Sequence, residues 1–275
     1  MRTGLGKHAD DLLVCHLGLV SYLDALAVQE DVRTRRQADE VPDTLLLLEH
    51  PPVYTRGRRS GVEDLPFGED FYRARGIDVV ATDRGGKLTY HGPGQLVGYP
   101  IMRIDDVHRY LRTMEDAIVD ALAQEGVRAR SRHDEGIDCT GVWVQDRKIA
   151  SIGVHVSRGV TTHGFAVNVH NDLEPFSWVL ACGLPDVTMT SLARELSNEP
   201  PRTPTPGAMP ALSCEPALAC FRKRMAYAFC RAHGRRQRLV SPARIGIETA
   251  NAARRASGRA PIKTISSPLA EPLPA

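Results

Sequence analysis

The stretch from Arg84 to Pro100 holds five glycines in 17 residues and ends in an apolar run, Gln95–Ile101. Glycine adopts backbone angles closed to other residues and lets main-chain groups approach closely. A regular helix through Arg84–Gly94 is therefore disfavoured, and the chain must turn repeatedly before it extends into a strand. Such a loop serves either tight bends or a ligand held by backbone amides, and both uses stay open on composition. Neither GxxxxGK[ST] nor GxGxxG occurs in it, so the phosphate loops of nucleotide-binding folds are not indicated.

Two hydrophobic periods surround this loop. Thr44–Leu48 is short, apolar and stopped by Pro51 and Pro52, which predicts a buried strand. Ile77–Ala81, Gln95–Ile101 and Thr161–Val169 predict further strands. Gly141–Val144 and Lys148–Val156 flank a turn without an Asn-Gly signal and predict a β-hairpin. Val107, Leu111, Met114, Ile118 and Leu122 share one face of a helix over 107–125. Leu19, Tyr22, Leu23 and Leu26 predict an amphipathic helix over 15–37. Leu218, Phe221, Met225 and Phe229 predict a C-terminal helix. Residues 51–76 read as irregular apart from a short helix near Phe71–Arg75, and 176–181 and 190–196 as short helices. The segment 199–216 carries six prolines and reads as a surface insertion. Beyond about residue 240 the apolar period stops, which predicts a mobile tail over 240–275. Strands and helices are interspersed without strict alternation. The expected class is a mixed α/β (α+β) domain rather than a regular parallel barrel.

The chain has 275 residues, 42% of them hydrophobic, enough to bury a substantial core. A net charge of +2 implies no nucleic-acid partner. The cluster Arg56, Arg58 and Arg59 reads as a solvated basic turn. No apolar run nears the ~18 residues of a membrane span, and no export signal is seen. The expected location is therefore the cytoplasm, where thiols stay reduced. Six cysteines, Cys15, Cys139, Cys182, Cys214, Cys220 and Cys230, form no CxxC pair and read as free thiols. His50, His91, His155 and His163 sit at strand ends or in the glycine-rich loop. They read as hydrogen-bonded or substrate-contacting groups, with His50 and His155 as candidate contacts. Neither a metal site nor a cofactor is expected.

Two residues carry chemistry only in combination. Lys148 opens a strand and on its own reads as a solvated strand end. Beside a cysteine, its positive charge would favour thiolate over thiol. Cys182 lies in Leu180–Pro185 and on its own reads as an inert buried thiol. The glycine after it would leave room for a substrate beside the sulfur.

Four blocks in order resemble the lipoyl(octanoyl) transferase family, the LipB-type octanoyltransferases. They are Leu45–Arg58, Arg84–Pro100, Gly141–Val156, and Thr162–Val169 followed by Cys182-Gly183. The resemblance covers residues 12–235 and implies the single-domain fold of biotin and lipoate protein ligases, a mixed β-sheet flanked by helices. It also implies transfer of an octanoyl group from octanoyl-acyl carrier protein to a lysine on lipoyl domains. Acceptors would be the E2 subunits of 2-oxoacid dehydrogenases and the glycine cleavage H protein. By the same resemblance Cys182 carries the acyl group as a thioester and Lys148 is its partner. The acyl pocket is lined by Arg84, Gly85, Gly86, Lys87, Leu88, Thr89, Tyr90 and His91, by Ser151, Ile152 and Gly153, and by Gly164, Phe165 and Ala166. One departure is Ala181, where the family commonly has proline. Competing readings are an ATP-dependent lipoate or biotin ligase, which has no need of Cys182, and a non-catalytic acyl-binding module.

If the strand from Lys148 alternates regularly, Lys148 and His155 point to opposite faces. Sharing one pocket would require a bend or bulge at Gly153.

Overall fold

Residues 11–19 form a strand rather than the start of a helix. Leu12 and Val14 enter one core while Leu13, Cys15 and Leu17 enter another. A strand buried on both faces reads as a continuous apolar run, which hides its period of two. The first helix starts only at Tyr22, where the Ser21 hydroxyl accepts from the Asp24 amide at 3.2 Å. Its inner face is Tyr22, Ala25, Val28, Gln29 and Val32. Leu23, expected on that face, is 64% exposed.

The computed structural model describes residues 10–180, 187–198 and 218–247. In chain order its elements are β1 (Asp11–Leu19), α1 (Tyr22–Gln37), β2 (Thr44–Glu49), β3 (Val53–Arg56), α2 (Glu69–Arg73), β4 (Asp78–Ala81), β5 (Thr89–His91), β6 (Gln95–Ile101), α3 (Val107–Gln124) and β7 (Arg130–Ser131). There follow β8 (Gly141–Val144), β9 (Arg147–Ser157), β10 (Val160–Asn168), β11 (Thr188–Met189), α4 (Leu192–Asn198), α5 (Leu218–Ala232) and β12 (Arg236–Val240).

The main sheet runs β12-β1-β2-β6-β10-β9-β8-β7, with β11 added parallel to β9. The β12–β1–β2 pairs are parallel and those from β2 to β7 antiparallel, so the sheet is mixed. A smaller sheet, β4-β3-β5, stands beside it. Helices flank the main sheet, as the sequence predicts. Helix α3 is capped by the Asp106 carboxylate on the Arg109 amide, and buries Met114, Ala117, Ile118, Ala121 and Leu122. Phe221, Met225 and Phe229 of α5 join the same core, each large side chain worth roughly 1.5–3 kcal/mol of burial. Helix α1 covers the opposite face. Tyr54, Tyr72, Leu88, Tyr90 and Phe176 pack the small sheet.

Two expectations are corrected. The segment 51–76 contains β3, the central strand of the small sheet, which its proline and arginine flanks conceal. The chain also does not become a tail at 240. Strand β12 pairs with β1, and Ile245 and Ile247 are buried beneath α1. The insertion 199–216 and the chain beyond 247 lie outside the described residues.

Across β6 and β10, Gly98 faces Phe165, and a Cβ on Gly98 would sit 2.2 Å from the ring tip. Gly98→Ala should therefore lower stability by ~1–3 kcal/mol through overpacking. A urea titration checks this.

Candidate active site

Strands β9 and β10 form the floor of a cavity of about 540 Å³, and the loop after β4 forms its roof. Gly153 pairs with Gly164 across the two strands. A Cβ on Gly153 would lie 2.9 Å from the Gly85 carbonyl, and one on Gly164 2.2 Å from the Gly98 carbonyl. Only glycine at Gly153 lets the roof settle so low, and the Gly85 amide donates to the Val154 carbonyl at 2.9 Å.

The Arg84 guanidinium turns back on its own loop. It donates to the Thr55 carbonyl at 2.5 Å, to the Thr55 hydroxyl at 2.8 Å, and to the Gly85 and Lys87 carbonyls at 3.0 and 2.7 Å. Gly85, Gly86, Lys87, Leu88, Thr89 and His91 line the cavity beside it. Tyr90 does not. Alternation along β5 turns Thr89 and His91 inward and sends Tyr90 between Tyr54 and Phe176, at 5.5 and 5.4 Å. The Thr89 hydroxyl is buried without a hydrogen-bond partner among the described residues.

Ser151, Ile152, Gly153, Gly164, Phe165 and Ala166 line the floor. Lys148 closes one end and is 2% exposed. It reaches the cavity because pairing with β8 skips Ile149: Trp143 faces Lys148, whereas Val142 faces Ala150. The irregularity thus falls at Ile149, not at Gly153. The Lys148 ammonium lies 5.2 Å from the centre of the Trp143 ring, a cation–π distance. Cys182 lies outside the described residues. The chain re-enters at Val187, and β11 then pairs Met189 with Lys148.

His50 and His155 do not line the cavity. His50 is wholly buried behind Tyr99 and Tyr22. Its Nδ1 lies 2.6 Å from the Val20 carbonyl and must donate there, so its Nε2 accepts from the Tyr99 hydroxyl at 2.7 Å. His155 Nε2 lies 3.6 Å from Asp83, which also holds His163 Nε2 at 2.7 Å. The left-handed backbone at His163, φ +57°, breaks the alternation of β10 and turns its ring toward Tyr22 and Tyr99. His91 packs against this group, its ring 5.9 Å from that of Tyr22 and 5.6 Å from that of His50. The Gln95 amide nitrogen donates to the Asn168 side-chain oxygen and the Tyr90 carbonyl, so its oxygen accepts from His91 Nδ1 at 2.7 Å.

Several wall residues escaped the sequence reading. Tyr22 and Tyr99 come from α1 and β6, and Val107 and Leu111 from α3. Their core-like spacing gave no sign of a second role. Arg58 and Arg59, read as a solvated turn, stand at the mouth, where Arg59 pairs with Asp138 at 2.8 Å.

A family model described as the lipoyl protein ligase A/B catalytic domain matches residues 21–206. The chain belongs to this family. An octanoyltransferase of Rubrobacter xylanophilus is 48% identical over 188 residues, 67% of this chain and 83% of its own. One of Corynebacterium efficiens is 42% identical over 203 residues, 70% of this chain and 77% of its own. Among solved structures, lipoate-protein ligase A bound with ATP superposes with a TM-score of 0.64 at 18% identity, covering 86% of this chain and 92% of that one. That likeness speaks for the lipoyl ligase fold.

Burial pushes His50 down to about 4, and His16 and His233 likewise to about 4. Burial, then the neighbouring His50, holds His91 well below the ordinary value. Below pH ~6.5 the unfolded chain takes up protons that these folded rings refuse. Stability is therefore fully present above that value and is lost as pH falls from 6.5 toward about 4. Urea midpoints should drop between about pH 7.5 and about pH 5. His50→Gln should be less stable at the higher pH but show the shallower slope.

Proposed function

We propose that this chain moves an octanoyl group from octanoyl-acyl carrier protein to a lysine of lipoyl domains, with Cys182 as the transient thioester carrier. Lipoyl domains of 2-oxoacid dehydrogenase E2 subunits and the glycine cleavage H protein are the acceptors in this reading. The observation that carries it is the buried Lys148 at the end of a largely apolar cavity, in a family whose curated relatives are octanoyltransferases. Val107, Leu111, Ile152, Val154 and Phe165 give that cavity the apolar wall an eight-carbon chain needs.

In the first step the Cys182 thiolate attacks the donor thioester carbonyl. The carbon–sulfur bond to the donor breaks, and the donor leaves as a thiol after taking a proton. One thioester replaces another, so the exchange is nearly isoenergetic and needs no ATP. In the second step the acceptor amine attacks the acyl carbon, loses a proton and releases the Cys182 thiol. Lys148 favours the thiolate by its charge in the first step and relays a proton in the second. The Thr89 hydroxyl, without a partner among the described residues, offers a hydrogen bond to a polar atom of the bound acyl donor. No helix among the described residues is long and apolar enough to cross a membrane. We place the reaction in the cytoplasm.

Incubation with octanoyl-acyl carrier protein should give an octanoyl adduct in the intact mass. The adduct should be labile to hydroxylamine and absent from Cys182→Ser. An adduct that persists in Cys182→Ser rules that thiol out as carrier, and transfer that strictly requires ATP points to the ligase reading. Lys148→Ala should abolish transfer while the circular dichroism spectrum is retained.

A further inference from the structure

Glu115 lies on α3, outside the cavity lining, and is completely buried. Burying a carboxylate is costly unless it is paired and hydrogen-bonded. One oxygen accepts from the Gly141 amide at 2.9 Å. The other lies 2.7 Å from the Arg112 guanidinium, off the direction of a good hydrogen bond. The neighbours of Glu115 along α3 are core residues, Met114 and Ile118. A leucine would suit that surrounding better, so the carboxylate calls for a reason.

Gly141 supplies one. It begins β8 with φ +135°, and a Cβ there would sit 2.8 Å from Lys148 Cε and 2.4 Å from the Ala150 carbonyl. The stem of Lys148 therefore runs directly over the bare α-carbon of Gly141. Two residues on, the ring of Trp143 lies below the ammonium, and its Nε1 donates to the Cys139 carbonyl at 3.0 Å. Gly141 and Trp143 are thus the bed on which Lys148 rests. Glu115 grips that bed at its open end, where β8 has just left the two short turns His133–Glu135 and Ile137–Cys139.

We propose that Glu115 is a positioning residue, which fixes the Lys148 ammonium through its hydrogen bond to Gly141. The proposal rests on the reading of Lys148 given above, so its test separates position from function. Position is read by acetic anhydride labelling of Lys148, mapped by peptide mass and normalised to Lys223. Function is read by octanoyl transfer.

Glu115→Asp keeps the charge but withdraws the carboxylate from Gly141. It should speed Lys148 labelling by about threefold or more and slow transfer by about tenfold or more. Glu115→Gln keeps an acceptor oxygen in place and should stay within about threefold of the parent on both readouts. Gly141→Ala crowds the Lys148 stem directly and should reproduce the loss of transfer with altered labelling. It decides the matter if Glu115→Asp does not fold. Parent-like labelling and transfer in folded Glu115→Asp, or in Gly141→Ala, overturn the proposal. So does a Gln variant as impaired as the Asp variant, since an acceptor oxygen held at the Gly141 amide would then not be enough. Altered labelling with intact transfer supports the positioning role and overturns the function given to Lys148.

Discussion

Which side of the sheet Lys148 faces depends on one residue, Ile149, for which β8 offers no partner. Side chains alternate along a strand, and without the skip Lys148 would share a face with Ala150, which packs in the core with α3 and α5. An ammonium there would be buried among hydrocarbon. With the skip, Lys148 shares the cavity with Ser151 and Gly153. Strand β11 holds the strand from its other side, the Thr190 amide donating to the Lys148 carbonyl at 2.9 Å. The lysine is therefore set by main-chain pairing on both flanks before any side chain touches it.

Around this lysine, several polar groups of the site satisfy one another. Arg84 uses its donors on its own loop and on Thr55. His91, Gln95 and Asn168 pass a chain of hydrogen bonds to the Thr190 carbonyl. That chain joins the roof loop to β11, the strand that follows residues 181–186. Burial keeps the His91 ring uncharged near neutral pH, so the charge at the wall belongs to Arg84, Lys87, Lys148 and the arginines at the mouth.

The glycine-rich loop, the hairpin and the amphipathic α3 were legible because each has a strong local cause: glycine content, alternation or a clear 3.6 period. Cys182 and Lys148 were singled out only through their order among four blocks, since neither neighbourhood is distinctive. What stayed hidden depends on long-range partners. Strand β1 is buried on both faces and lost its alternation. Strand β3 lies between prolines and arginines. Tyr90 belongs to a block that lines the cavity yet points away, because membership of a motif does not carry the direction of a side chain. Tyr22, Leu111 and Glu115 look like ordinary helix residues until the helices are docked.

The buried C-terminal isoleucines bear on the cavity from a distance. Ile245 and Ile247 fill the core beneath α1, and the Ile245 carbonyl accepts from Arg35 at 2.7 Å. The same helix contributes Tyr22 to the cavity wall, about three turns away. The segment Pro242–Ile247 thus works as a clasp on a lever: cutting the chain at 240 would uncover the far end of α1 and loosen the tyrosine at the near end. A shortened version cut at the last apolar period of the sequence would lose more than a tail. It would release one wall of the cavity.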